Sequence, residues 1–571
     1  MISSTQVSLG TKCHFVNGQI PVAVLTDING NIIVGNELID ESAPDIRYGV
    51  PQSTWVVSGM RTMKVRFFSA STASIVLTCA LPDAIALPPS LPKEIGIERE
   101  ICIWVGYIES VRPVTQQDLA YGRLLRDFLM VVDTISAVGS ASGGYTCKID
   151  GRCRMKWLMD STVFYNQAEI QKNGESIARS DLLLQIAQRA IGQVEEEGCS
   201  NCGKEILKSN AYTIDIAKGD IPEADIWYKN DGPLINRMLT SLNVDPNPEF
   251  RIFTARTEIE TNKSQDFILN NQIPVEMIKT LSSQDVYPTE MFMHHRDGHF
   301  YYVPRCNDIS GLEDPARFFR TYYFKVSPEG VQLNPNQRLL AFKEERSSVA
   351  LKTNLIIEKA DANQQNTAHA EWSLHLRVRP HSLRGVPMAC KFMRLGPDAT
   401  INTVADAAVV ALSAARFVSK DVRAGMAVLL GDPSIMLGET IQMLGSPLTE
   451  YNDKSLTQLA AADREKFLEY NKRWASNLVD YAKLTKTTDP SVREVELTAH
   501  DGAKVKFDAS ADANENATQF ICKTSSFVGA DENNIGFNED VQTMWRVEGI
   551  LNKFNLGGKG FTTELALVSP F

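Results

Sequence analysis

The sequence lacks the long apolar segments of a membrane protein and the leader of a secreted one. No apolar run approaches the roughly 20 residues that a membrane-spanning helix needs. The N-terminal segment MISSTQVSLGTKCHFVNGQ has neither a basic start nor an apolar middle, so it is not a secretory signal. We therefore expect a protein that is made and folded in a cytoplasm and has no stable association with a membrane.

Recognisable catalytic motifs are also missing. There is no GxSxG elbow, no HExxH and no glycine fingerprint for a dinucleotide. The segment GCSNCGKE (198–205) has the GxxxxGK spacing of a phosphate-binding loop, but Glu205 stands where that loop needs Ser or Thr for magnesium. Glu205 would repel phosphate, and the segment follows the acidic residues 195–197 rather than a strand. We expect neither nucleotide binding here nor enzymatic activity.

The bulk composition is that of a globular protein with several domains. A chain of 571 residues is too long for one ordinary core, which predicts two to four domains. Hydrophobic residues make up 43% and charged residues 22%, so the chain is not a disordered type. The net charge of −11 argues against nucleic acid or an anionic membrane as the main partner.

Ten cysteines are scattered over the whole chain, which indicates mostly buried free thiols rather than a disulfide framework. Cys199 and Cys202 form a CxxC followed by glycine, and Cys147 and Cys153 lie upstream. Four thiolates could hold a structural zinc ion or an iron–sulfur cluster. Two unrelated pairs of idle thiols are the favoured interpretation, so no cofactor is expected and a four-cysteine metal site is the alternative.

The segment HHRDGH groups three histidines, His294, His295 and His299. If Asp297-Gly298 is a two-residue turn, Arg296 pairs with His299, and His295 takes the face opposite to the other two histidines. Three ligands do not converge from that arrangement. The pattern predicts polar residues of an ordinary hairpin over 291–305 rather than a metal site.

Strand patterns dominate both ends of the chain. Residues 1–165 are rich in β-branched and aromatic runs, with a hairpin signal at Asn29-Gly30 and a strand that leads into a helical turn over 143–161. In the last part, 346–571, residues 424–445 predict strand, turn, strand, turn, strand. These two parts are predicted as the first and second β-barrel-like domains.

Helical patterns lie between and within these parts. The middle region, 166–345, has helical patterns near 180–197, 233–242 and 274–283, and residues 306–350 have no regular pattern. A helix fits 403–417, and a strongly amphipathic helix at 455–481 lies in an insertion of about 447–487. The order of strand and helix patterns along the chain predicts a mainly β fold with helical insertions (α+β) and not a doubly wound sheet.

Four segments taken together resemble one family. WRVEGILNKFNLGGKGFTTELAL (545–567) resembles the closing hairpin of phage baseplate central hub proteins, with Asn552 or Lys553 where a histidine is common. LLGDPSIMLGETIQMLG (429–445) is similar to the family's G-[ND]-P segment. RCRMKWLMDS (152–161) looks like its R-[DE]-R-[ML]-K segment, with Cys153 in place of the acidic residue, and the hairpin 291–305 resembles its middle hairpin. The matching positions are Trp545, Val547, Ile550, Gly560, Phe561, Thr562, Thr563, Leu565 and Leu567, and Gly431, Asp432, Pro433, Ile435, Gly438 and Glu439.

This family includes the central hub of T-even phages and the late-control D proteins. The resemblance implies two tail-tube-like β-barrels per chain and a homotrimeric ring that adapts a hexameric tail tube to a trimeric puncturing spike. It implies tube or tube-initiator proteins, the spike and other baseplate proteins as partners, and DNA only in passage through the lumen. The location implied is the baseplate of a phage tail, and the last hairpin would complete a barrel.

Three further classes compete with a plain structural hub. A hub or tail-tip protein could carry a metal or iron–sulfur cluster at the four cysteines. A cell-wall hydrolase fused to a hub would need a catalytic constellation, which we do not find. A receptor-binding tail protein would show long repetitive β segments, and these are also missing from the sequence.

Overall fold

The computed structural model describes the chain in segments, and the fold is given for these residues only. They are 20–36, 55–66, 69–80, 90–109, 112–139, 144–160, 166–167, 171–172, 175–176, 216–221, 252–257, 268–269, 289–293, 295, 300–304, 321–322, 339–347, 349, 351–360, 370–380, 389, 391–398, 423–446, 448–449, 458–467, 494–498, 504–508, 519–524, 534–537, 542–556 and 560–570.

The N-terminal part contains seven strands and two short helices. The strands are β1 (Ile20–Thr26), β2 (Ile32–Val34), β3 (Val56–Val65), β4 (Thr72–Ala80), β5 (Glu100–Ile108), β6 (Leu124–Gly139) and β7 (Gly144–Arg152). The helices are α1 (Gln116–Ala120) and α2 (Met155–Asp160).

The middle part contributes mostly short strands. They are β8 (Asn166–Gln167), β9 (Gln171–Lys172), β10 (Glu175–Ser176), β11 (Ile216–Ile221), β12 (Ile252–Thr257), β13 (Ile268–Leu269), β14 (Thr289–Met293), β15 (Phe300–Pro304), β16 (Thr321–Tyr322) and β17 (Leu339–Arg346).

The C-terminal part contains eleven more strands and the helical residues 458–467. The strands are β18 (Asn354–Ala360), β19 (Ala370–Pro380), β20 (Phe392–Asp398), β21 (Arg423–Leu430), β22 (Thr440–Met443), β23 (Glu494–Thr498), β24 (Lys504–Asp508), β25 (Gln519–Thr524), β26 (Asn534–Phe537), β27 (Met544–Asn555) and β28 (Gly560–Val568). The predicted mainly β class is confirmed.

A 13-stranded sheet joins strands from both ends of the chain. Its order is β17-β21-β28-β27-β3-β4-β7-β6-β5-β1-β2, and β22 pairs with β27 and with β16. Successive strands along this order pair antiparallel, as in β3 with β4 and β5 with β6. The strands of the predicted first and last barrel-like parts therefore lie in one sheet, with β27 against β3 at the junction.

Four further sheets account for the other described strands. A seven-stranded sheet has the order β20-β18-β19-β25-β24-β23, with β26 on β19, and a four-stranded sheet has the order β11-β12-β15-β14. Two-stranded pairs link β9 with β10 and β8 with β13.

The large sheet curves so that distant strands approach each other and enclose two apolar cores. Strand β1 lies close to β3, β27 and β28 as well as beside its partner β5. The first core fills the N-terminal half, with side chains such as Ile75, Ile101 and Phe128 almost fully buried. The second core lies under β21, β22 and the last hairpin, and Trp545 is its largest side chain.

Several local predictions are confirmed. β1 and β2 form the hairpin at Asn29-Gly30, with Gly30 at a φ of 85° and Leu25 opposite Val34. The strand leading into a helical turn is β7 followed by α2. β27 and β28 form the predicted last hairpin, with a bulge between Val547 and Gly549.

Other predictions need correction. The middle strand of 424–445 is not formed, because residues 431–439 make successive turns in which Asp432 accepts from the Ser434 amide and Gly438 has a φ of 80°. Strand β17 occupies residues predicted to be irregular. The predicted helices at 180–197, 233–242, 274–283 and 403–417 lie outside the described residues.

The register of the 291–305 hairpin also differs from the prediction. A turn at Asp297-Gly298 would place Met293 opposite Tyr302, but Met293 pairs with Phe300. The ladder is therefore shifted by two residues. His295, two residues after the end of β14, packs against Phe128 of β6.

Candidate functional site

The last hairpin, β27–β28, is the element that connects the two halves of the large sheet. Residues 549–555 of β27 pair with residues 59–65 of β3 on one side. Residues 562–568 of β28 pair with residues 424–430 of β21 on the other side. A hairpin paired along both outer edges has its register fixed from two directions.

The two ends of this hairpin belong to different cores. Phe554 and Phe561, near the turn, are buried in the first core. Trp545, Ile550 and Leu567, nearer the other end, are buried in the second core. The hairpin therefore lines both cores. Its apolar residues alternate with polar ones because one of its faces is buried at each end.

A buried polar network crosses from β6 through the hairpin. Asp127 of β6 is fully buried and accepts hydrogen bonds from Lys64 Nζ at 2.5 Å, Thr62 Oγ1 at 2.5 Å and Asn552 Nδ2 at 2.6 Å. Lys64 is also buried, so the two charges form an ion pair inside the sheet. The Oδ1 atom of Asn552 accepts from Thr563 Oγ1 at 2.6 Å, which extends the network from β27 to β28.

The network continues into the turns that follow β21. The Asp432 amide donates to Thr563 Oγ1 at 2.9 Å, and Tyr322 donates its hydroxyl to Asp432 Oδ2 at 3.1 Å. Tyr107 of β5 donates to the carbonyl of Gly431 at 2.8 Å. Burial, with Asp432 nearby, raises the pKa of Tyr107, which keeps its hydroxyl protonated as a donor. The family-like G-D-P segment thus touches both halves of the sheet.

The R-x-R-M-K segment at the end of β7 carries ion pairs. Arg154 is fully buried and binds Glu100 of β5 with both Nε, at 2.5 Å, and Nη2, at 2.9 Å. Arg152 binds Asp133 of β6 at 2.8 Å and Asp160 of α2 at 2.8 Å. Bidentate guanidinium–carboxylate pairs fix direction as well as distance, so these arginines lock β5, β6 and α2 onto β7.

Lys156 completes this set from α2. It binds Asp133 Oδ1 at 2.7 Å and also the carboxylate of Glu98. Burial alone would raise the pKa of Asp133, but hydrogen bonds from Arg152 and Lys156 outweigh it and hold that pKa below its ordinary value. Asp133 is therefore held as an anion that joins the helix to the sheet.

The predicted amphipathic helix is confirmed over 458–467 and packs on its own sheet. Asp463 accepts from the amide and the hydroxyl of Thr543, both at 2.7 Å. Arg464 donates to Gln442 at 2.9 Å and to Thr321 at 2.6 Å. These bonds attach the described part of the helix to β16, β22 and the residue before β27.

A buried arginine stands beside this helix. Arg423 of β21 lies over the ring of Trp545, 3.8 Å from the ring centroid, and pairs with Glu344 of β17 at 3.1 Å. Burial lowers the pKa of Arg423 to about 10, while Glu344 opposes that shift. The cation–π contact and the ion pair attach the edge strand β17 to the second core.

The predicted metal site rests on four cysteines, of which two are described. Cys147 and Cys153 are buried free thiols in the first core. They lie six residues apart along β7 and its extension, which spans about 20 Å, so they do not adjoin each other. Cys199 and Cys202 lie outside the described residues, and the four-cysteine site stays a prediction. Within the described part, no three His, Cys, Asp or Glu side chains are grouped to hold a metal.

His295 is the one residue of the HHRDGH segment that the structure describes, and it contacts the sheet. Its ring stacks on Phe128 of β6 at 4.0 Å between centroids. Its carbonyl accepts from Arg126 Nε at 2.9 Å, and its Nδ1 accepts from the Leu129 amide at 3.4 Å. The middle hairpin is therefore docked on β6 through this histidine.

Sequence reasoning identified the hairpin and its flanking motifs but missed the polar network. Asp127, Lys64 and Arg423 gave no signal, because each occurs in an ordinary strand pattern and its partner is distant in sequence. Asn552 offered a hint, since it replaces a common histidine of the family. Across the described residues these polar groups satisfy one another, an arrangement that fixes strands in register.

Comparisons with known proteins give structural matches only. No protein-family profile matches the sequence, and no curated protein matches it. Its structural neighbours include phage and prophage tail proteins. The 43 kDa tail protein of prophage MuSo2 from Shewanella oneidensis is 10% identical with a TM-score of 0.43, covering 96% of this chain and 98% of that one. The tail protein from Neisseria meningitidis MC58 is 6% identical with a TM-score of 0.41, covering 90% and 92%.

A secretion-system protein is also among these neighbours. It is the E. coli c3393 protein, described as a component of the type VI secretion system with structural similarity to the T4 tail proteins gp27 and gp5. It is 7% identical with a TM-score of 0.36, covering 91% of this chain and 75% of that one. Among the described residues, no helix combines the length and apolar character needed to cross a bilayer.

Proposed function

We propose that this chain is the structural central hub of a phage baseplate, in a tail of the contractile type. Three copies form a ring that adapts a hexameric tail tube to a trimeric puncturing spike. The ring binds tube or tube-initiator proteins on one side, the spike on the other and further baseplate proteins around it. Its place is the virion, at the baseplate of the tail.

The observation that carries this proposal is that each of the four family-like segments lies in the large sheet or contacts it. The closing hairpin pairs with β22 of the G-D-P segment. The R-x-R-M-K segment lies at the end of β7 in the same sheet, and the middle hairpin docks on β6 through His295. Segments spread over more than 400 residues therefore support a single body rather than separate local motifs.

The presence of two cores in each chain also supports a threefold ring. Each chain encloses two apolar cores under one curved sheet. Three chains then present six such units, which matches the sixfold repeat of a tube while the ring itself keeps the threefold repeat of a spike. A cyclic trimer closes on itself, and permanent contacts of this kind bury large areas.

The proposed role needs no catalysis. The polar groups of the described network are used in holding strands and turns, as Asp127 and Asp432 do. The net charge of −11 suits a ring whose lumen DNA passes without sticking.

The test is the mass of the purified full-length protein by light scattering, alone and after mixing with candidate spike and tube proteins. A particle near three times 63.3 kDa that appears as a ring in negative stain supports the hub. A ring that forms only on the spike supports it as well. A protein that stays monomeric at high concentration and binds neither a tube nor a spike protein would overturn the proposal.

A further inference from the structure

The shared hairpin has a consequence for folding that does not depend on the proposed function. The two cores are far apart in sequence, since the first is built mostly from residues 20–158 and the second from residues 322–567. Each of them nevertheless takes part of its wall from β27–β28. Neither core is closed without this one element.

The backbone shows the same dependence. β3 has β4 on one side and β27 on the other, and β21 has β17 on one side and β28 on the other. Removal of the hairpin would uncover an inner edge of each half, with its amide and carbonyl groups unpaired. Such an edge is costly when the flanking side chains are apolar.

Besides the apolar cores and the backbone pairing, the polar network also connects the two halves. Asn552 bonds Asp127 across a sequence separation of 425 residues, and Thr563 connects Asn552 to the Asp432 amide. Closing a loop of this length costs entropy before the contact is made, so we expect this contact to form late in folding.

We infer that the two cores form one cooperative folding unit that is closed by the docking of β27–β28. The backbone amides of neither core reach their native protection from hydrogen exchange until residues 544–568 have docked. The hairpin transmits a local loss of packing in one core to the other core, so the halves open together rather than one at a time.

The test is hydrogen exchange by mass spectrometry on the full-length protein. Phe554→Leu weakens packing in the first core only, and Ile550→Val weakens packing in the second core only. The reporters are β5, which does not pair with the hairpin, and β21. Loss of one buried methyl group, as in Ile550→Val, typically changes an opening equilibrium by roughly fivefold, and Phe554→Leu removes more carbon atoms than that. Each variant should therefore speed exchange at least about fivefold in both reporters.

The matched control is Lys553→Gln, between the two test positions. Lys553 is partly exposed and pairs with Glu564 on the outer face, so its loss should leave both reporters within about twofold of wild type. Acceleration in β5 alone for Phe554→Leu, or in β21 alone for Ile550→Val, would overturn the inference.

A second measurement needs no variant. Native-state exchange of the wild-type protein in increasing urea should bring the slowest amides of β5 and β21 onto a single unfolding isotherm. Two isotherms with separate slopes would show that the halves open independently, and would contradict the inference even if a variant failed to fold.

Discussion

The first and second cores are bounded in different ways. In the first half, β1 and β5 are buried along nearly their whole length, and an ion pair, Lys64–Asp127, lies inside the sheet. In the second half, β17 exposes most of its side chains, and Arg423 and Asp463 lie where the sheet meets the helix 458–467. In the first half an ion pair connects two strands inside the sheet. In the second half the charged contacts lie beside the edge strand β17 and helix 458–467.

The two halves thus differ in which polar contacts fix the register of their strands. An apolar interior accepts alternative packings, whereas a buried charge with three donors accepts only one strand register. In the first half the ion pair connects β3 and β6, two inner strands that have a strand on each side. The second half has an outer strand and a helix, whose charged contacts with the sheet serve the same purpose.

The largest effect is expected from removing the interior charge. Asp127→Leu should destabilise the protein by about 3–5 kcal/mol, because Lys64 then keeps its charge in the core without this carboxylate. Unfolding in urea, followed by circular dichroism, measures the effect. The control is Asp150→Ala on β7, whose pair with Lys148 is half-exposed and should cost at most about 1 kcal/mol.

A double variant sharpens this result. Lys64→Met together with Asp127→Leu should recover a large part of the loss, since an apolar pair leaves no buried ammonium group without the Asp127 carboxylate. Thr62 and Asn552 still lose an acceptor, so recovery is incomplete. Equal losses in Asp127→Leu and Asp150→Ala would show that the interior pair has no special role in the first half.

An intermediate effect is expected from two turn glycines, one in each half. Gly30 has a φ of 85° with open space around it, and Gly438 has a φ of 80° with the Arg66 guanidinium where a Cβ would lie. Gly30→Ala should cost about 1 kcal/mol from the backbone alone. Gly438→Ala should cost about 2–3 kcal/mol, because Arg66 must also move.

Thermal unfolding of both variants separates the backbone cost from the packing cost. The two glycines have nearly the same φ, so the difference between the variants measures the contact with Arg66. Similar losses at both positions would mean that Arg66, which belongs to the end of β3, does not constrain the turn before β22.

Local patterns of sequence predicted the elements that depend on neighbouring residues. The Asn29-Gly30 turn, the two strands of the last hairpin, the transition from β7 to α2 and helix 458–467 all carry their signal within a short window. The apolar residues of the last hairpin alternate because both of its ends are buried. This periodicity is a property of the sequence itself.

The predictions from sequence were wrong or incomplete where contacts between distant residues determine the structure. Residues LLAFKEER of β17 alternate poorly, and they become a strand because β21 offers an edge and Arg423 binds Glu344. Ile435 and Leu437 are buried without forming a strand, because the turns around them fit the second core. The Asp127 network joins residues up to 425 positions apart, so no local pattern contains it.

Two buried carboxylates, Asp118 and Asp463, should give opposite pH responses. Arg112, Thr115 and Arg123 donate to Asp118 of α1 and hold its pKa well below its ordinary value of 3.8. A carboxylate with a lowered folded pKa stabilises the protein above its unfolded pKa and loses that contribution as the pH falls below about 4. Asp118→Asn should therefore cost about 1.5 kcal/mol at neutral pH and flatten the loss of stability in acid.

Asp463 should respond in the opposite sense. Its burial raises its pKa above 3.8, although Thr543 hydrogen bonds and the charges of Arg423 and Lys466 act against that shift. An acid with a raised folded pKa favours the folded state as the pH falls through its folded pKa towards 3.8. Asp463→Asn should remove this gain in stability at low pH, whereas Asp118→Asn should remove a loss of stability at low pH. Urea unfolding of both variants between pH 3 and pH 7 measures the two changes. Slopes that change in the same direction would contradict this difference between α1 in the first half and helix 458–467 in the second, because both carboxylates would then be held in the same way.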